Sequence, residues 1–161
     1  MGCLLTSATK SITISFVTDT SAYASGDVVA NPVKIPGAVL GHNGSSILRS
    51  VVLIDAADQG VALNLVFSRD STVFGTLNAA PNISDANVVA KILGHVAIAT
   101  TDYVDLGGAA VATVTGKDLV LTASSDDAVY VGIINGTGTP TFAADSLTLR
   151  VGLERFEFAE S

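Results

Sequence analysis

Apolar residues recur at every second position through most of the chain. Ile12, Ile14 and Phe16 alternate with Thr13 and Ser15, and Val61, Leu63, Leu65 and Phe67 alternate with Ala62, Asn64 and Val66. The same period runs through Leu119 and Leu121, through Val129, Val131 and Ile133, and through Leu147, Leu149, Val151 and Leu153. A two-residue period places one set of side chains on one face of a strand, so each run predicts a half-buried β-strand. The runs are separated by turn chemistry: DAADQG at Asp55–Gly60, Gly107-Gly108, Gly116-Lys117, Ser124–Asp127 and NGTGTP at Asn135–Pro140. Turn signals every 8–12 residues or so favour an antiparallel sandwich over alternating strands and helices.

Three stretches depart from the simple period. Ile47–Ile54 is apolar at nearly every position apart from Arg49 and Ser50, which predicts a strand buried on both faces or lying at a subunit contact. Ser84–Leu93 (SDANVVAKIL) reads as one short helix. Ser84 is its N-cap, Val88, Val89, Ile92 and Leu93 form its stripe, and Gly94 is its stop, packed on an open end of the sandwich. Val28–Ile35 carries Pro32 and is followed by Pro36, which confines it to a sheet edge or an extended arm. Past Leu153 the alternation slips by one position before Phe156 and Phe158, as a β-bulge or a departing strand would require.

The chain has 161 residues, which suits one domain: a flexible N-terminal segment over 1–10 and a single β-sandwich over 11–161. The hydrophobic fraction is 48%, but only 14% of residues are charged, against about 25% in an average domain. So little charge suggests that a partner covers part of the surface. No window approaches the roughly 18 apolar residues of a spanning helix, and no basic, apolar leader opens the chain, so neither a membrane nor export is expected. The net charge is −7, and the eight Lys and Arg are scattered singly. Direct nucleic-acid binding is therefore not expected. The single Cys3 cannot form an internal disulfide.

Candidate chemistry is sparse. His42 and His95 are the only histidines, and no G-x-S-x-G elbow accompanies them. One Cys and two His do not make a zinc site, and the pairs Asp55/Asp58, Asp102/Asp105 and Asp126/Asp127 lack the calcium-loop pattern. The glycine-rich GHNGSS at Gly41–Ser46 lacks the spacing and lysine of a phosphate loop. The opening Met1-Gly2-Cys3 with Thr6 fits an acylation pattern, but Lys10 is the only nearby cation. No catalytic residue, cofactor or metal is expected. The low charge points instead to protein contacts. The candidates are Ile47, Val51 and Leu53 on the doubly apolar run, Phe156 and Phe158 near the C-terminus, and His42 and Asn43 in the loop. Val51, Leu53 and Phe67 are at the same time candidates for the core.

Several segments resemble a known family. TDTSAYASGDVVA at Thr18–Ala30, the Asp55–Gly60 turn, LNAAPNISDAN at Leu77–Asn87, IATTDYVDLGG at Ile98–Gly108 and the strand Leu147–Leu153 look similar to head decoration, or cement, proteins of tailed bacteriophages. The resemblance implies a jelly-roll-like sandwich and a homotrimer bound to the major capsid protein on the outer surface of the virion, after synthesis in the host cytoplasm. It carries no catalytic residues. Other virion components (head fibre, tail or minor capsid protein) share these features. A carbohydrate- or cell-binding sandwich is the alternative, with Tyr23, Tyr103 and Tyr130 as its candidate aromatics.

Overall fold

The computed structural model describes residues 3–160, and the side chains of 7–156 among them. Among the described residues nine strands form: β1 Cys3–Ser15, β2 Val28–Ile35, β3 Ser45–Asp55, β4 Leu63–Ser68, β5 Ile92–Ile98, β6 Tyr103–Asp105, β7 Ala110–Thr122, β8 Val129–Asn135 and β9 Leu147–Glu160. One helix, α1 Asp85–Lys91, precedes β5, and a single 3-10 turn at Thr100–Asp102 precedes β6. The strands make two sheets, ordered β1-β9-β3-β7-β6 and β2-β8-β4-β5, and every pairing is antiparallel. Apart from the short β6, the chain passes repeatedly between two four-stranded sheets, with the first and last strands side by side. That strand order is the jelly-roll form of the β-sandwich.

The core lies between the two inner faces, filled by the residues the period singles out. Ile12, Ile14, Leu149 and Val151 of the first sheet face Leu65, Phe67, Val131 and Ile133 of the second. Burying each such side chain contributes roughly 1.5–3 kcal/mol. Phe16, Tyr23 and Phe142 are fully buried, and the Tyr23 and Phe142 rings meet at 5.9 Å between centroids, tilted by 55°. The exposed area is 7,674 Å². A folded monomer of this mass exposes about 7,500 Å². Residual apolar exposure is therefore local and does not reflect a failed core.

The doubly apolar run is explained by a bulge. In β3, Ser46 and Leu48 face the core, and then Val51, Leu53 and Asp55 do. The parity changes because Arg49 is an extra residue: Leu48 pairs with Leu153 and Ser50 with the adjacent Gly152. Opposite it, β7 makes its own irregularity, with Gly116 at φ 70° and Asp118 at φ 50°. The expected break at Gly116-Lys117 is thus a kink within one 13-residue strand.

Other boundaries differ from expectation. Residues 3–10, expected as a flexible lead, form the first part of β1 and pair with the C-terminal half of β9 from Leu153 to Glu160. Their sequence, CLLTSATK, shows no two-residue apolar period, and backbone pairing needs none. The slip before Phe156 is not a bulge in β9, whose register with β1 is unbroken; Phe156 lies on the face opposite Leu153. β2 is an edge strand with two register shifts around Asn31-Pro32, as its prolines require. Helix α1 has its Ser84 cap, whose hydroxyl accepts from the Asn87 N–H at 3.3 Å. It ends at Lys91, and Ile92 and Leu93 belong to β5. No residue of α1 is buried, so it does not pack on the sandwich end as expected. Gly94 is a strand residue at φ 150°, where an added Cβ would stand 2.9 Å from Leu119 Cδ1.

Candidate interaction surfaces

Among the residues expected at a contact, Val51 and Leu53 are fully buried in the core. They cannot touch a partner, because the bulge turns both inward. Ile47 is half-buried on the outer face of β3, opposite Val120 of β7 and Glu154 of β9. Phe156 is half-buried on β9 opposite Ser7. The Phe158 side chain lies outside the described residues. His42 and Asn43 are exposed in the turn before β3. Asn43 holds φ 56°, and the His42 Nδ1–H donates to the Ser125 carbonyl, tying this turn to the β7–β8 loop. Gly44 is required there, since a Cβ would meet the Leu40 carbonyl at 2.6 Å. The candidates therefore divide between core, turn and sheet face and do not form one patch.

The bulge organises a charged cluster that sequence spacing does not show. Arg49 Nε donates to Glu154 Oε2 at 2.8 Å, and its Nη1 to Asp118 Oδ1 at 2.6 Å. The two carboxylates, from strands on either side, hold the guanidinium pKa above its ordinary value. Beside it lies an open depression of about 320 Å³ lined by Lys10, Ser50 and Gly152. On the second sheet an open groove of about 370 Å³ is lined by Asn64, Val66, Ile92, Gly94, His95 and Ile134. No carboxylate borders His95 there. Among the described residues no three His, Cys, Asp or Glu side chains converge as a metal site.

The loops between strands are tied down locally. Asp55 is buried, and its carboxylate accepts from the N–H groups of Ala57, Gln59 and Gly60. Asn31 accepts from the Phe74 and Gly75 N–H groups and donates to the Gly75 carbonyl, folding the β4–α1 loop over the outer face of the second sheet. Lys34 pairs with Asp126 at 3.2 Å. The Ala128 N–H first, and then this lysine, hold the Asp126 carboxyl below its ordinary pKa. Tyr23 is buried, Tyr103 and Tyr130 are half-buried, and burial pushes the Tyr103 phenol well above its usual range. None of the three is fully exposed.

The outward apolar residues are the feature that the alternation pattern misses. Val17 is 71% exposed, Val104 62%, Leu106 70% and Val89 85%. Val104 continues a row across the outer face of the first sheet, Ser15–Thr148–Ile54–Val111–Val104, through successive strand pairs. No described helix is long and apolar enough to cross a membrane.

The fold defines the class: an antiparallel jelly-roll sandwich with scattered outward apolar residues and two shallow, open depressions. No family model and no curated protein matches the chain. Among solved structures it is similar to a chain from Desmodium yellow mottle tymovirus, at 9% identity and a TM-score of 0.35, covering 100% of this chain and 91% of that one.

Proposed function

We propose that the protein is a structural virion component, a decoration protein that binds the major capsid lattice as a homotrimer. The observation that carries this reading is the jelly-roll strand order combined with exposed apolar residues such as Val17, Val89, Val104 and Leu106 on an otherwise well-packed sandwich. Jelly rolls serve viral capsids, lectins and cupins alike, so the fold alone does not choose among them. Half-buried or buried tyrosines disfavour the sugar-binding alternative, and the segment likeness to phage cement proteins favours the virion.

Such a protein works by linkage. A clip that binds only the assembled lattice stabilises it in proportion to occupancy. A closed trimer presents three equivalent contacts, so each can be weak while the whole holds. In light scattering at micromolar concentration the purified chain should show three times its 16.3 kDa mass. Sedimented particles should carry it on their outer surface in electron micrographs. A monomer that does not bind capsids would overturn the proposal.

A further inference from the structure

Formal charge is segregated along the strand axis. The loops 16–27, 56–62, 99–109 and 136–146 gather at one end, held by bonds such as Tyr23 N–H to the Pro140 carbonyl and Thr18 Oγ1 to the Ala143 carbonyl. They contain Asp19, Asp27, Asp58, Asp102, Asp105 and Asp145 and no lysine or arginine, and buried Asp55 closes the adjoining strand. The other eight acidic residues equal the eight Lys and Arg in number, so this end carries the whole formal charge of −7. Individual aspartates have turn duties; Asp105 Oδ1, for one, accepts from the Gly107 N–H at 2.6 Å. Turn chemistry does not demand that every cation be absent. Exposed Val17 and Leu106 lie in the same loops.

The part of the first sheet's outer face nearest this end has the opposite character, while the Arg49, Glu154 and Asp118 cluster lies further along it. Below the row ending in Val104 lie Thr13–Arg150–Val52–Thr113 and Ser11–Gly152–Ser50–Thr115. These three rows contain no acid. Their one charge, Arg150, is exposed near the middle and makes no ion pair among the described residues.

We infer that this sheet face of one copy receives the acidic loop end of a second copy. The inference rests on the homo-oligomer reading above and names its contact. A closed threefold ring needs two different, complementary surfaces on each subunit. An acid-free, hydroxyl-and-valine face with a central arginine complements a cation-free acidic end bearing Val17 and Leu106. The two surfaces adjoin at Val104 and Leu106 and are not on opposite sides, a relation that turns the chain of contacts back on itself. The face spans about 19 Å across the strands by about 13 Å along them at ordinary strand spacings. Each contact is therefore small for a stable pair, and ring closure, which gives every subunit two contacts, holds the assembly.

Two exposed substitutions test this. Thr113→Glu sets an acid on the sheet face, and Leu106→Lys sets a cation at the loop end. The parent should run as a ring, and each variant alone as a folded monomer with the parent's circular-dichroism spectrum. The double variant, Thr113→Glu with Leu106→Lys, sets an acid on every face and a cation on every loop end. It restores opposite charges across each contact and should regain the ring mass. Single variants that keep the parent mass, or a double variant that stays monomeric, overturn the face assignment and leave the oligomer standing. A parent that is itself monomeric overturns the oligomer reading, and this contact with it.

Discussion

Gly132 and Gly152 show how differently two missing side chains act. A Cβ at Gly132 would stand 2.5 Å from Phe74 Cε2 and 2.9 Å from the Ala30 carbonyl oxygen. The ring is fully buried and the oxygen is backbone, so neither can move aside easily. At Gly152 the Cβ would meet only the Ser50 hydroxyl, at 2.3 Å, with Ser50 Cβ at a comfortable 3.6 Å. That hydroxyl rotates freely. Gly132→Ala should therefore destabilise by about 1–3 kcal/mol, the usual cost of overpacking, and Gly152→Ala by less. Denaturant melts of the two variants check the order, and equal midpoints would refute it. Arg49→Met should lower the melting temperature slightly in dilute buffer. The gap should shrink with added salt, because the guanidinium and its carboxylates are solvent-screened.

At the scale of elements, α1 stands apart. It has a serine cap, Asp85 in its first turn and Lys91 in its last, but no buried residue. A seven-residue helix of mediocre formers is marginal by itself. Its stability here comes from the cap and from the covalent lead into β5. Val89→Ser should leave the melting midpoint within about 0.5 kcal/mol of the parent, as an exposed substitution does. Ser84→Ala should cost about 1 kcal/mol of helix stability, and amide exchange over 85–91 should rise without change in the sheets. Protection of α1 equal to that of β4 would show that something packs on it. The contrast with β1 is instructive: residues 7–10 are exposed, yet the strand is fixed through backbone pairing with β9.

For the whole molecule, loop clamps respond to pH in a defined direction. Asp126 and Asp19 both have carboxyl pKa values held below the ordinary 3.8, Asp126 chiefly by the Ala128 N–H and Asp19 chiefly by that of Ser21. A depressed folded-state pKa means stability that is complete above 3.8 and lost as pH falls through the lower folded value. Asp126→Asn should therefore lower the melting temperature at pH 6, and the gap to the parent should close below pH 3.8. A gap that widens on acidification would contradict this.

The amino-acid sequence by itself determined the class of fold. A strict two-residue period, punctuated by Asp, Asn, Gly and Pro, admits little besides an antiparallel sandwich, because each strand must bury one face. It also placed Phe67, Val131 and Leu149 in the core and Ser84 at a cap. The order of strands, the bulge at Arg49 and the extent of β1 were decided only by tertiary pairing. An extra residue reverses every later side chain of its strand, so Val51 and Leu53 turn inward while Ile47 turns outward. A one-dimensional pattern shows such a run as apolar throughout. Pairing between Cys3 and Glu160 joins positions at opposite ends of the chain, and backbone groups, which every residue carries alike, make the bond. The gathering of seven aspartates at one end has the same origin: the residues are scattered in sequence, and only the fold brings their loops together.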